Sequence, residues 1–303
     1  MKTGVLVMAH GTPSSPEGIE PFYTRIRRGS PPTPELLADL TRRYLAIGGT
    51  SPLTECTAAQ VAGIAAALEV DAPAAFDVRY GSKFEPPLLE EAAHSFRDDG
   101  FTKVVGIVLA PHSSSMSTEQ YMSRARTSLG DAVEFIAVGA WYDAPGFLNL
   151  IAKRVNDALA TIPASRHATT EVIFSAHSLP EKVVELSDTY PEQLKESAVL
   201  AAEIAGVRSF DVAWQSAGRT TDPWLGPDIL KALRDKHAEG FTDVVSCPIG
   251  FVSDHLEVLF DIDIEAQSVA REVGLNLVRT ASLNDDSAFM SVLAGVIRTA
   301  DGT

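Results

Sequence analysis

The stretch GFTKVVGIVLAPHSSS, residues 100–115, contains a helix-ending glycine, a hydrophobic strand rich in valine, and a serine-rich loop. A related stretch, GFTDVVSCPIGFVSDH, follows at 240–255. Both copies stand between segments with helical spacing, which is the pattern of a parallel α/β sheet. Two copies half a chain apart predict two similar α/β lobes rather than a solenoid, which needs at least about three short repeats. Chance similarity between βα units is the alternative.

The same alternation continues along the chain. It predicts a parallel sheet flanked by helices in each lobe, with the lobes at residues 1–146 and 147–303. The predicted strands are 4–9, 76–81, 103–110, 133–138, 171–176, 210–215, 243–249 and 276–279. The predicted helices are 35–46, 57–69, 86–98, 117–129, 147–161, 192–205, 227–238, 255–272 and 286–299.

Composition excludes several classes of protein. The chain has 303 residues, is 45% hydrophobic and carries a net charge of −15, which disfavours nucleic acid and anionic membranes as partners. No apolar run approaches the roughly 20 residues of a membrane span, and no signal peptide precedes the first strand, so we expect a cytoplasmic protein. The two cysteines, Cys56 and Cys247, exclude a four-cysteine zinc or iron–sulfur site within the chain. They are expected to be buried free thiols rather than one disulfide.

Two strands end in nearly the same letters. MAHGTP (8–13) and SAHSLP (175–180) each place a histidine directly after a hydrophobic run. Ligands of parallel α/β sheets bind beyond the carboxyl ends of the strands. A single histidine in such a place is usually structural, but the matched setting predicts that His10 and His177 approach one interlobe cleft.

A row of carboxylates follows the second repeat. In DHLEVLFDIDIEAQ (254–267), Glu257, Asp261 and Glu265 fall on one stripe of a continuous α-helix. Like charges at this spacing destabilise a helix by about 0.2–0.5 kcal/mol per pair. One interpretation is a solvated acidic face. The other is a row that binds a divalent cation or relays protons.

Arginines cluster near the N-terminus. Arg25, Arg27, Arg28, Arg42 and Arg43 lie within 23–49, and guanidinium groups suit carboxylates or phosphates. The nearby glycines do not form a phosphate-binding loop of the Gly-x-x-x-x-Gly-Lys type, so carboxylates are the expected anions. A solvated basic surface is the alternative.

Taken together, seven motifs resemble the ferrochelatases, most closely the coproporphyrin III type of Gram-positive bacteria. They are LVMAHGTP, FYTRIRRG, RRYLAIGGTSPL, IVLAPHSSS, SAHSLPEK, WQSAGRTTDPWLGPD and GFVSDHLEVLFDID. The resemblance runs nearly from end to end. It implies two Rossmann-like lobes with a porphyrin cleft between them, and a final helix at 286–299 that packs back on the N-terminal lobe. It also implies insertion of Fe²⁺ into coproporphyrin III to give iron-coproporphyrin III in haem biosynthesis.

The resemblance also implies roles for individual residues. His177 and Glu257 match the catalytic, metal-binding pair on one face of the porphyrin. His10 matches the porphyrin-binding residue on the other face and would be the axial ligand of the product iron; many relatives have tyrosine there. Asp261 and Glu265 match an acidic path for protons or metal. The other porphyrin-contacting positions are Arg27, Arg43, Tyr44, Ser51 and Tyr121.

The chain departs from the pattern of some ferrochelatases at two places. Some relatives have a metal-binding histidine after the lysine that matches Lys83, where this chain has Phe84, and some end in a cysteine-rich extension that this chain lacks. We therefore expect no iron–sulfur cluster and no tightly bound cofactor, with Fe²⁺ and coproporphyrin III as substrates. The resemblance is compatible with a monomer that contacts the next haem-pathway enzyme transiently, without membrane insertion or nucleic acid. The alternatives are a cobalt or nickel chelatase for a reduced tetrapyrrole, and a non-catalytic haem or metal carrier.

Overall fold

A computed structural model describes residues 2–218 and 221–303. Arg219 and Thr220, inside the motif WQSAGRTTDPWLGPD, lie outside the described residues. All eight predicted strands are confirmed, with ends shifted by a few residues. They are β1 Thr3–Ala9, β2 Phe76–Ser82, β3 Lys103–Val108, β4 Glu134–Val138, β5 Thr170–His177, β6 Phe210–Gln215, β7 Asp243–Cys247 and β8 Asn276–Arg279.

The strands form two parallel four-stranded sheets with the same topology. The strand order is β2-β1-β3-β4 in the first sheet and β6-β5-β7-β8 in the second. Strand β1 therefore corresponds to β5, and β3 to β7, as the sequence repeat predicts. In the first sheet, β1 is buried along its whole length and β3 is buried from Val104 onward, as both faces are covered by helices. The α/β fold with two similar lobes is confirmed.

Helices cover both faces of each sheet. The α-helices, numbered in chain order, are α1 Ile19–Ile26, α2 Pro34–Ala46, α3 Leu53–Asp71, α4 Leu89–Asp98, α5 Thr118–Leu129, α6 Pro145–Leu159, α7 Lys182–Glu185, α8 Tyr190–Ala205, α9 Ile229–Ala238, α10 Leu256–Leu259, α11 Gln267–Val273 and α12 Ser287–Asp301. Side-chain caps begin some of them: Asp228 accepts from the Leu230 N–H at 2.9 Å, and Asp286 accepts from that of Ala288 at 2.9 Å. Among the described residues, no helix is long and apolar enough to cross a bilayer.

One apolar core lies between the two sheets and includes residues of both lobes. Val5 and Ile107 of the first sheet belong to the same buried cluster as Phe174 and Val245 of the second. Helices α3, α6, α8 and α12 contribute to this inner layer. Separate clusters cover the outer faces, with α4 and α5 on the first sheet and α9 and α11 on the second. The lobes therefore share an interior, and burial of this surface holds them together.

Helix α12 lies against α3, β3 and β4 of the N-terminal lobe. Asp301 at its end forms an ion pair with Lys103 at 2.6 Å. A Cβ atom on Gly63 of α3 would meet the Met290 Cγ at 2.5 Å, so the two helices approach as closely as they do because residue 63 is glycine. Helix α6 begins at Pro145, two residues before the predicted division at 146/147, and packs on α8 of the second lobe. The division itself stays a prediction.

Candidate active site

A cavity of about 580 Å³ opens at the carboxyl ends of the central strands of the two sheets. Its size is typical of small-molecule sites. Both lobes contribute to its wall. The site residues expected from the sequence that line it are His10, Arg43, Tyr44, Ser51, Tyr121, His177 and Glu257. The sequence repeat therefore brings His10 and His177 to one cavity, from equivalent strand ends.

His10 follows β1 and has aromatic neighbours. Its ring centroid lies 4.8 Å from that of Phe84 and 5.8 Å from that of Phe22. Nδ1 donates to the Gly11 carbonyl at 3.0 Å, so in the neutral imidazole the lone pair is on Nε2. The surrounding protein removes hydration from the ring and lowers the pKa of His10, although Gly11 and Glu257 act in the opposite direction. His10 is therefore a neutral imidazole at neutral pH.

His177 ends β5 and has a carboxylate partner. Its Nδ1 donates to the Ser178 carbonyl, and its Nε2 lies 3.5 Å from Glu257 Oε1. Burial opposes charge on this imidazole, but the Glu257 carboxylate outweighs burial and raises the pKa of His177 to about 9. Burial likewise opposes charge on Glu257, and His177 reverses the effect, so the pKa of Glu257 lies well below its ordinary value. The pair therefore holds one proton at neutral pH, on the imidazole.

A second histidine faces the same carboxylate. His255 Nε2 lies 3.6 Å from Glu257 Oε2, and its Nδ1 donates to the Ser253 carbonyl at 3.0 Å. The ring of Phe251 lies 4.8 Å away. Glu257 thus sits between two imidazoles. Sequence reasoning did not include His255 among the site residues; its place at the end of the second repeat was the available signal.

The acidic row does not lie on a continuous α-helix, and the prediction of one helix over 255–272 is wrong. Residues Asp261–Ala266 form a π-helix between α10 and α11. There the Glu265 N–H donates to the Phe260 carbonyl at 3.0 Å, five residues back, instead of the usual four. The wider turn means that Glu257, Asp261 and Glu265 do not follow the stripe of an α-helix.

Asp261 and Glu265 line a second, smaller cavity of about 120 Å³, which Arg43 lines together with them. Arg43 also lines the large cavity, so it stands between the two. The Ser216 hydroxyl donates to Asp261 Oδ2, and Arg43 Nη1 lies 3.6 Å from its Oδ1. Burial, followed by the charge of Glu257, raises the pKa of Asp261 to about 7. This carboxyl group can therefore both take up and release a proton near neutral pH.

The clustered arginines have different partners. Arg43 forms an ion pair with Asp39 at 3.1 Å, and its guanidinium lies over the Phe260 ring. Arg25 binds the Phe84 carbonyl and forms an ion pair with Glu85, so it anchors α1 to the loop after β2. Arg27 is exposed at the end of α1 and does not line the cavity. Its guanidinium lies 5.9 Å from the centre of the Tyr23 ring, which does line it.

The remaining expected residues are buried polar groups of the wall. The Tyr44 hydroxyl is hydrogen bonded to Thr12 Oγ1 at 2.9 Å, and burial raises the pKa of Tyr44 to about 12. Ser51 Oγ accepts from the Leu53 N–H at 3.3 Å, at the start of α3. Burial also raises the pKa of Tyr121 above its ordinary value. Both phenols therefore stay neutral donors.

Lys83 is a further cation at the wall that sequence reasoning did not assign to porphyrin contact. Its ammonium group lies 4.8 Å from the centre of the Tyr121 ring and donates to Gln120 Oε1 at 2.8 Å. Burial, with the charges of Arg124 and Arg28, lowers the pKa of Lys83 to about 8.

Neither cysteine takes part in the site. Both are free thiols, as expected; Cys247 is buried, whereas Cys56 is only half-buried, which corrects the expectation that both are buried. Within residues 2–218 and 221–303, no group of three or more His, Cys, Asp or Glu side chains is arranged to hold a metal ion.

Known proteins share both the sequence and the architecture. A coproporphyrin III ferrochelatase of Halalkalibacterium halodurans is 45% identical over 303 residues, which cover 98% of this chain and 96% of the relative. A protein of the same name from Bacillus subtilis is 44% identical and covers 98% and 97%. Among solved structures, the sirohydrochlorin chelatase SirB of Bacillus subtilis subspecies spizizenii superposes with a TM-score of 0.56. The superposition covers 99% of this chain and 95% of SirB at 11% identity, so it supports the fold alone.

The family comparison covers almost the whole chain. The model of the family described as Ferrochelatase matches residues 2–301. This match and the two relatives agree with the seven motifs that resemble the ferrochelatases. The chain belongs to the ferrochelatase family.

Proposed function

We propose that the protein inserts ferrous iron into coproporphyrin III to give iron-coproporphyrin III, a step of haem biosynthesis. The observation that carries the proposal is the interlobe cavity, in which a neutral imidazole from one lobe faces the same space as an imidazole–carboxylate pair from the other. Four curated relatives with the name coproporphyrin III ferrochelatase are 42–45% identical to this chain. The cobalt chelatase alternative rests on a shared fold alone, and the carrier alternative gives no role to the titratable carboxylates.

The first part of the chemistry is binding the macrocycle. Two pyrrole protons must leave, and the nitrogen lone pairs must turn toward the metal. A cleft bordered by two lobes that share one core can hold the ring in a bent conformation, with remote contacts supplying the binding energy. Arg43, Tyr44, Ser51 and Tyr121 are proposed to hold the ring and its propionates, with Arg27 at the rim.

The second part is proton transfer. The His177–Glu257 pair is proposed to take protons from the pyrrole nitrogens. Because His177 is protonated at neutral pH, it accepts a pyrrole proton only after its own proton has passed to Asp261 or to water. Asp261 is the next acid, with a pKa of about 7. Glu265 then lines the small cavity beyond it. This row is the proposed path for protons or for incoming Fe²⁺.

The third part is the opposite face of the ring. His10 stays neutral and carries its lone pair on Nε2. We propose that Nε2 becomes the axial ligand of the product iron. In relatives with tyrosine at this position the ligand is expected to be a phenol or phenolate, so the same place in the fold would give a different product spectrum.

Other expectations complete the proposal. Fe²⁺ is a substrate, and no cofactor is held tightly; two cysteines are too few for an iron–sulfur cluster within the chain. We propose that the enzyme works in the cytoplasm as a monomer and contacts the next haem-pathway enzyme transiently. Sedimentation of the purified protein tests the monomer directly.

The experiment is an anaerobic insertion assay followed by absorbance, with Fe²⁺ and either coproporphyrin III or protoporphyrin IX under matched detergent. Coproporphyrin carries four propionates and protoporphyrin two, so a cavity wall with cations favours coproporphyrin. We expect a higher kcat/KM with coproporphyrin III. Equal or faster use of protoporphyrin IX contradicts the proposed substrate, and no insertion into either contradicts the proposed reaction. Co²⁺ and Ni²⁺ with sirohydrochlorin test the alternative chelatase.

A further inference from the structure

The serine-rich loop of the first repeat binds the second lobe through one carboxylate. Residues 113–115 follow β3 in the N-terminal lobe, and Asp188 precedes α8 in the C-terminal lobe. Asp188 Oδ2 accepts from Ser114 Oγ at 2.9 Å, from the Ser115 N–H at 2.7 Å and from Ser115 Oγ at 2.6 Å. We call Asp188 and residues 113–115 the interlobe clasp. Although burial opposes charge on Asp188, these donors lower its pKa, so it accepts them as a carboxylate.

Neighbouring contacts extend the clasp along α8. The Ser113 N–H donates to Gln193 Oε1 at 2.8 Å, and Gln193 Nε2 donates to Ser113 Oγ at 3.0 Å. His112 Nε2 is hydrogen bonded to Ser197 Oγ at 2.8 Å. Gln193 and Ser197 are one turn apart on α8, so the loop is fixed to one side of that helix. These contacts are polar and directional, unlike the apolar core that joins the lobes elsewhere.

One residue continues from the clasp into the active site. The Tyr190 N–H donates to the other oxygen of Asp188, Oδ1, at 3.0 Å. The Tyr190 hydroxyl donates to the His177 carbonyl at 2.9 Å. Its ring is packed edge-on against His112 at 6.1 Å and beside Trp214 at 5.6 Å, and only 8% of the residue is exposed. An unbroken series of contacts therefore runs from the serine loop through Asp188 and Tyr190 to His177.

The backbone next to Asp188 is strained. Ser187 has a φ of +56°, a conformation that costs a residue with a side chain free energy. The contacts of Asp188 hold the chain in this conformation. The strained turn fixes where Asp188 stands relative to Tyr190, two residues later.

We propose that Asp188 and Tyr190 are positioning residues for His177. His177 comes from the C-terminal lobe and His10 from the N-terminal lobe, so the spacing of the two imidazoles depends on how the lobes are joined near the cavity. The clasp joins the lobes near the cavity, and the hydrogen bond from the Tyr190 hydroxyl connects the clasp to the backbone of His177. The inference rests on the proposed function for its effect on turnover, but not for its effect on the His177–Glu257 pair.

Three variants test it: Tyr190→Phe and Asp188→Asn, with Tyr142→Phe as the matched control. Tyr142 also donates its hydroxyl to α8, to Glu196 at 2.8 Å, and its ring stacks on His112, but it neither lines the cavity nor contacts His177. For Tyr190→Phe and Asp188→Asn we expect about a tenfold lower kcat at unchanged porphyrin affinity, the size of one lost hydrogen bond expressed as a rate. The control keeps the wild-type kcat.

The second readout is the titration of His177 by NMR in the absence of porphyrin and iron. If Tyr190 positions the imidazole against Glu257, Tyr190→Phe lowers the pKa of His177, and Tyr142→Phe leaves it unchanged. A wild-type kcat and a wild-type titration in Tyr190→Phe overturn the proposal. Weaker porphyrin binding at unchanged kcat also overturns it, because Tyr190 would then be a contact of the ring. If the wild type inserts no iron, the proposed function fails, while the titration still decides the positioning role.

Discussion

The ends of β1 and β5 are equivalent places in two sheets of the same topology, yet their histidines have opposite electrostatics. His10 lies among Phe22 and Phe84, where loss of hydration lowers its pKa. His177 lies beside Glu257, whose charge outweighs the same loss of hydration and raises the pKa to about 9. Both imidazoles donate Nδ1–H to a nearby backbone carbonyl, so both turn Nε2 away from the chain.

The repeated fold sets the position of each histidine, and the residues around it set its protonation. A neutral imidazole without a carboxylate partner suits a metal ligand. An imidazole paired with a carboxylate suits proton uptake, because the adjacent negative charge stabilises the imidazolium that forms.

The largest effect is expected at His177. His177→Ala removes the proposed proton acceptor, and loss of general-base catalysis typically costs about 10²–10⁴-fold in rate. Because the residue acts mainly during reaction, coproporphyrin affinity should change little. Single-turnover insertion and porphyrin fluorescence titration measure the two quantities. The control is His94→Ala on α4, outside the residues that line the cavity. A rate within about threefold of wild type contradicts the assignment.

The next largest effect is expected at Arg43. If it binds a propionate, Arg43→Ala weakens coproporphyrin binding by about 1.5–3 kcal/mol, and the loss shrinks for the methyl ester. Arg27→Ala should have a smaller effect, since Arg27 is exposed and lies outside the cavity wall. Fluorescence titration of coproporphyrin III and of its methyl ester with both variants measures these losses. Equal losses for acid and ester would mean that Arg43 acts by packing on Phe260 and pairing with Asp39.

The pH profile of insertion sharpens the role of Glu257. The neutral fraction of His177 grows as pH rises through its pKa, so the wild-type rate should rise with pH up to about 9. In Glu257→Gln the carboxylate that raises this pKa is lost, whereas burial still lowers it. The rate should therefore rise at lower pH in this variant, near or below 6.5, the ordinary pKa of histidine. The maximum rate should also be lower. Asp235→Asn, on the exposed surface of α9, is the control. If the rate of Glu257→Gln rises at the same pH as that of wild type, a group other than His177 controls the pH dependence.

The smallest effect on rate is expected at His10, with a clear effect on the product. His10→Ala removes the proposed axial ligand and should change the absorption spectrum of bound iron-coproporphyrin, with a modest loss of insertion rate. His10→Tyr should keep activity and shift the spectrum toward a phenolate-ligated form. Spectra of the three proteins with product, recorded at one pH, make the comparison. A product spectrum in His10→Ala identical to that of wild type would remove His10 from the iron.

Much of the fold follows from local patterns, because buried parallel strands are short, rich in valine and separated by helices. The same regularity placed His10 and His177 at one cavity. Helix α1 was not predicted, because its eight residues include a proline and two charges, and its stability comes from packing of Ile19 and Phe22 and from Arg25 binding Glu85.

The details that sequence could not give depend on tertiary contacts. In the π-helix at Asp261–Ala266 the donor and acceptor of a backbone hydrogen bond are five residues apart instead of four, and the sequence carries no distinct signal for this change. The residues that face Asp261, Ser216 and Arg43, come from distant segments of the chain. The contact of His255 with Glu257 needs side-chain geometry, because their spacing of two residues does not place them on one face of a helix. Sequence alone also could not distinguish the anchored Arg25 from Arg43 in the cavity wall, because tertiary contacts determine the partners of both side chains.

The most direct test of the division between the two strand ends is an NMR titration of His10 and His177 in the protein without porphyrin, with histidine labelled and each resonance assigned by substitution. We expect His177 to titrate near 9 and His10 to titrate below 6.5, so that their pKa shifts have opposite signs. If the two imidazoles titrate together near 6.5, or in the reverse order, their neighbours do not divide the roles of ligand and proton acceptor, and the account is wrong.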